Sequence, residues 1–108
     1  LSAPDANHRK FPYLLSNIKI IKPNQIWGTG ITYIKLKNSF IYLTAILDWF
    51  SRYVISWQLS QTLENVFCIQ ALKEALKISI PGIHNSDQGT QYTSNDYLKV
   101  LEKEKIRI

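Results

Sequence analysis

Eight carboxylates, two histidines and one cysteine are the side chains of this 108-residue sequence suited to acid–base, metal or nucleophilic chemistry. Asp87 stands out among them by position. It follows a short apolar run (Ile78, Ile80, Ile83) and opens a Gly-containing turn before a helix start, in Asn85-Ser86-Asp87-Gln88-Gly89-Thr90-Gln91-Tyr92-Thr93-Ser94. Ends of strands in α/β domains are where ligands and catalytic groups collect. Asp before Gly is also ordinary turn chemistry, so partners must decide between the two readings. His84 and His8 are lone histidines with no His/Cys spacing that suggests zinc. Cys68, the sole cysteine, falls in a helical pattern, which excludes a disulfide framework and fits a buried thiol in a reducing cytosol.

The elements that must position Asp87 follow from periodicity. Residues 1–24 carry Pro4, Pro12 and Pro23 among Arg9, Lys10, Lys19 and Lys22, and read as a basic linker or arm. Residues 25–108 read as the globular part. Ile26 to Ile34 is β-branched and aromatic, Lys35 to Ser39 is polar, and Phe40 to Leu47 is a buried-type strand, so a hairpin is expected. Tyr53 to Leu59 alternates as a third strand. Thr62 is the expected N-cap of a helix with Glu64 in its first turn and Phe67, Cys68, Ala71, Leu72, Ala75 and Leu76 on its inner face. A short strand then leads into Asp87, a second helix runs from about Asn95 to Lys103 with Ser94 as cap, and Ile106-Arg107-Ile108 starts another strand. The order β-β-β-α-β-α-β implies an α/β fold with a mixed sheet.

Bulk composition sets limits. A chain of this length with 45% hydrophobic residues builds one small domain. Thirteen Lys and Arg against eight Asp and Glu give a net charge of +5, which favours polyanionic partners, nucleic acid first. No stretch is long and apolar enough for a membrane span, and no signal-peptide pattern is present. The sequence begins at Leu1 and contains no Met, so it is expected to be a piece of a longer protein.

Four motifs in order carry a resemblance. Trp27-x-Thr29-x-Ile31-Thr32-Tyr33-Ile34, Phe40-Ile41-Tyr42-Leu43, Asp48-Trp49-Phe50-Ser51-Arg52 and Asn85 to Tyr92 resemble the catalytic core of bacterial insertion-sequence transposases of the retroviral-integrase (DDE) type. The arm segments Phe11 to Leu15 and Pro23 to Trp27 are similar to the linker before that core. The resemblance implies a ribonuclease H-like fold and a triad of two Asp and one Glu that holds paired Mg²⁺ or Mn²⁺ for DNA strand cleavage and transfer. Asp87 takes the place of the second Asp. Where the pattern Trp-x-x-Asp-Ile-Thr-Tyr has its first Asp, this sequence has Gly30, and the Glu would lie beyond Ile108.

The other seven acids can be weighed as stand-ins. Asp5 is in the arm; Glu64 and Glu74 belong to the first helix, Asp96 and Glu102 to the second, and Glu104 follows it. A hairpin centred near Lys37 would put Thr44 opposite Gly30 and Asp48 opposite Ile26, leaving Asp48 roughly 13 Å along the ladder from Gly30. That is beyond a shared cation, and Asp48 is expected instead to anchor its turn with Arg52. Gly30 itself reads either as a bulge or close-approach glycine or as the place of a lost ligand.

The resemblance further implies that Gln88, Gly89, Thr90, Gln91 and Tyr92 form a loop beside DNA, although the bare sequence fits a polar turn equally. Lys35, Lys37, Lys19 and Lys22 suit phosphates or simply a solvated tip and linker. Trp27, Trp49 and Trp57 read as core or sheet-face aromatics rather than base platforms. The expectation is a fragment of a DNA transposase, impaired by Gly30, with metal bound weakly or not at all. Its partners would be DNA and either full-length transposase or further copies of itself, in the bacterial cytoplasm at the nucleoid. A noncatalytic DNA-binding or transposase-interacting module is the alternative. Absent C-terminal helices would leave one face of the sheet partly bare.

Overall fold

The computed structural model describes residues 19–87 and 89–108. Most of the arm therefore lies outside the described residues. Strands β1 (Ile26–Lys35), β2 (Phe40–Asp48) and β3 (Val54–Ser60) form an antiparallel meander, and α1 (Val66–Leu76) crosses back to β4 (Ile83–Ser86). Two further helices, α2 (Thr90–Thr93) and α3 (Asn95–Lys103), close the chain. The sheet order is β3-β2-β1-β4, with β4 parallel to β1. The expected mixed sheet is present.

Along β2, Thr44, Ile46 and Asp48 are buried and alternate with half-buried residues, as the pleat requires. Trp27 and Ile46 face the helices and are fully buried, together with Phe67, Cys68, Ala71, Leu72 and Ala75 of α1 and Tyr97 and Leu101 of α3. Burying the larger of these side chains, such as Ile46, Phe67, Leu72 and Leu101, is worth about 1.5–3 kcal/mol each, which is why a thin layer of helices suffices to hold the sheet. The opposite face carries Gly30, Ala45 and Trp57 in one row across three strands. Trp57 is 56% exposed there and Leu59 46%, so this face is bare over part of its area.

Three details depart from the sequence reading. The hairpin register pairs Trp27 with Asp48 and Gly30 with Ala45, one residue off the expected pairing, because the turn closes through Leu36 N donating to Ser39 O at 2.7 Å rather than centring on Lys37. Helix α1 starts at Val66 with Asn65 as N-cap, not at Thr62. Thr62 N donates to Ser60 Oγ and Leu63 O accepts from Gln91 Nε2, which hold that segment outside the helix. The short α2 has no counterpart in the expected order. Ser94 does cap α3, accepting from Tyr97 N, and Arg107 pairs with Ile83 as a single parallel bridge at the β4 edge.

Candidate functional site

Parallel pairing of Thr29 with Ser86 delivers Asp87 to the side of Gly30. A β-carbon built at Gly30 would stand 3.5 Å from Asp87 Oδ2, an ordinary contact with no other atom within 4 Å. Gly30 has no positive φ and sits in regular ladder pairing with Ala45, so neither a bulge nor a close approach requires glycine there. The backbone therefore accepts a carboxylate-bearing residue at position 30, aimed at Asp87. The neighbouring Gly28 differs. A β-carbon there would fall 2.1 Å from Trp49 Nε1, because the indole lies against that stretch of β1.

Asp87 is exposed, and its Oδ1 accepts from Gly89 N at 3.0 Å, a local turn bond. Among the described residues no group of three or more His, Cys, Asp or Glu is placed to hold a metal ion. Divalent magnesium needs several oxygen ligands, and paired cations need bridging carboxylates. One carboxylate with an oxygen already engaged does not fit such a pair.

Asp48 is no substitute. Pairing opposite Trp27 puts it three residues from Ala45, Gly30's partner, about 10 Å along the ladder rather than 13 Å, and on the other face. It is buried, with Oδ1 accepting from Asn24 N and Oδ2 from Ser51 N and Ser51 Oγ. Burial pushes its pKa up, but the Ser51 hydroxyl and the backbone donors outweigh that and hold it below the usual value. It anchors its turn as expected, though through Ser51; Arg52 contributes only its backbone N–H, to Asp48 O at 2.8 Å. Asn24, with φ of 63°, completes the lock by accepting from Trp27 Nε1.

The strand that carries Asp87 is held from behind. His84 on β4 is buried, and its Nε2 lies 2.8 Å from Tyr97 OH on α3. Burial lowers its pKa to about 4, so it is neutral at neutral pH. Tyr92 OH meets Thr44 Oγ1 at 2.7 Å, and Tyr92 and Tyr97 pack edge to face. Burial raises both phenols well above their ordinary value, and raises the Cys68 thiol too. His84 and Cys68 are thus core groups, as the lone-residue reading expects.

The expected DNA-facing loop divides. Thr90 is exposed and Gly89 half-buried, while Gln91 Nε2 is spent on Leu63 O. Tyr92 is 3% exposed and points into the core, so its ring is removed from that surface. Gln88 lies outside the described residues. Lys35 and Lys37 are exposed at the hairpin end, remote from Asp87. Trp27 is core, Trp49 covers Gly28, and Trp57 is an exposed sheet-face residue. Tyr33, Phe40 and Tyr42 gather near Lys35, a cluster whose sequence signal is alternate spacing on both arms of the hairpin.

A 3-2-1-4 mixed sheet, with helices on one face and a carboxylate at the end of the strand parallel to β1, defines a ribonuclease H-like core. The HTLV-2 integrase catalytic core domain in complex with magnesium, in its dimeric form, superposes with a TM-score of 0.73 and 24% identity, over 82% of this chain and 61% of that one. The family model for the integrase core domain matches residues 21–108, and the chain belongs to that family. It is 34% identical to the transposase for insertion sequence element IS629 of Shigella sonnei, over 76% of this chain and 28% of that protein. Against transposase InsF for insertion sequence IS3A of Escherichia coli strain K12 it is 35% identical over 79% of the chain and 31% of the relative. The chain thus spans under a third of the length of these relatives.

Proposed function

We propose that this chain is part of the catalytic core of an insertion-sequence transposase, and that it is catalytically impaired. The supporting observation is the vacancy at Gly30 beside Asp87: the backbone brings the two positions together with room for a carboxylate, and only one of the two supplies it. In the intact arrangement two acids there would share divalent cations that activate the attacking group and stabilise the leaving oxygen. Here Asp87 holds such a cation weakly or not at all. Residues 1–24 act as a basic arm, residues 25–108 as the partial core, and Thr90, Gly89, Lys35 and Lys37 meet DNA. Further copies of the chain or a full-length transposase are its protein partners, in the bacterial cytoplasm at the nucleoid. An assay of supercoiled plasmid nicking with Mg²⁺ or Mn²⁺ tests the reading. No cleavage above background is expected, whereas robust nicking abolished by Asp87→Asn would overturn it.

The net charge of +5 favours a second reading that needs no metal, a noncatalytic module occupying DNA. A gel shift that weakens steeply from about 50 to 200 mM salt supports it, and absence of any shift at about 50 mM counts against it.

A further inference from the structure

We propose that Tyr33, Phe40 and Tyr42, with Lys35 and Lys37, form a platform that stacks the unpaired bases of single-stranded DNA. The proposal rests on the DNA-handling reading above and adds a site on the other face of the sheet. The three rings pack on one another, with centroids 5.5 Å apart for Tyr33 and Phe40, 6.5 Å for Tyr33 and Tyr42, and 5.8 Å for Phe40 and Tyr42. Tyr42 is half-buried against the core and supports the other two, yet Tyr33 is 65% exposed and Phe40 46%. Register explains the grouping: Tyr33 pairs with Tyr42 and Lys35 with Phe40, so three rings and a cation share one face at the hairpin end.

Charge selects the occupant. Between Asp5 and Asp48 the sequence holds no acidic residue, while Lys35 and Lys37 stand at the tip. Aromatic faces interleaved with cations and free of carboxylates suit bases joined by phosphates, the combination that single-strand binders use without reading sequence. A duplex offers phosphates but keeps its base faces stacked, so the rings discriminate in favour of unpaired DNA. The route from Asp87 is open. Strand β4 ends at Ser86, opposite Thr29, so among the described residues β1 has no strand beside it from Gly30 to Lys35 on that edge. Tyr33 lies about 10 Å and Lys35 about 17 Å along β1 from Gly30. A strand leaving Asp87 crosses that edge to reach the rings.

Fluorescence anisotropy on the full chain tests this with three labelled probes: a mixed-sequence single strand, the same length with abasic positions, and a duplex. The paired change Tyr33→Leu with Phe40→Leu is expected to weaken single-strand binding about tenfold or more and to leave duplex binding unchanged. The abasic strand is expected to bind the parent as weakly as the intact strand binds the variant, and Tyr33→Trp with Phe40→Trp is expected to retain affinity. Circular dichroism verifies that each variant is folded. Equal single-strand affinity for parent and folded leucine variant overturns the platform, as does loss of affinity in the folded tryptophan variant. If the parent binds neither probe at about 50 mM salt, the DNA reading itself fails along with it.

Discussion

Gly30→Asp should create a magnesium response that the parent lacks. With a β-carbon 3.5 Å from Asp87 Oδ2, the new carboxylate comes within roughly 4 Å of the old one, where two like charges repel by about 1 kcal/mol in water and about 4 kcal/mol at an effective dielectric of 20. Asp87 is exposed, so the lower figure applies. Replacing glycine in an extended backbone returns about 0.4–1 kcal/mol by reducing the freedom of the unfolded chain. Without divalent cation the variant should therefore melt close to the parent or a few degrees below, at about 4–8 °C per kcal/mol for a domain of this size.

A cation bound between the two acids reverses the sign. At tenfold over its dissociation constant it stabilises by about 1.4 kcal/mol, a rise of roughly 6–11 °C. Thermal melts in EDTA and in 10 mM MgCl₂ read this directly, on the parent, Gly30→Asp, Gly30→Ala and the double change with Asp87→Asn. Only Gly30→Asp should respond to magnesium. Gly30→Ala isolates the β-carbon and should gain up to about 1 kcal/mol. A clear loss of stability in Gly30→Ala would mean the vacancy is not there. A magnesium response that persists with Asp87→Asn would mean the cation sits elsewhere.

The adjacent glycine should behave oppositely. Gly28→Ala drives a β-carbon to within 2.1 Å of Trp49 Nε1, so the indole must move and a cost of about 1–3 kcal/mol is expected in denaturant melts, with a change in Trp49 emission. Acid should unfold the domain through His84. Its folded pKa of about 4 lies below the unfolded value near 6.5, so the unfolded state binds more protons below pH 6.5 and stability falls as pH drops from there to about 4. The full loss is roughly 3 kcal/mol for this group, and His84→Gln should flatten that part of the stability–pH curve.

What was legible in the sequence was whatever depends on one residue's neighbours in the chain. The β-branched and aromatic runs of β1 and β2, the alternation of β3, the inner face of α1, the Ser94 cap and the ending of β4 at Asp87 all follow from local pattern. The hairpin register, which slipped by one, depends on which atoms close the turn, and Leu36 N reaching Ser39 O is not written in residue types. Thr62 failed as a cap because its segment is held from a distance, by Gln91. The two glycines of Trp27-Gly28-Thr29-Gly30 make the same point about the site. They are chemically identical, two residues apart and on one face of one strand, yet Gly28 is required by an indole arriving from the next turn and Gly30 is required by nothing. Resemblance marks Gly30 as the place of a carboxylate; only the position of Asp87, brought in across a parallel pair more than fifty residues later, gives that mark physical content. The impairment proposed here therefore lies in the side chain missing at position 30 and not in the fold around it, which still presents the two positions to each other.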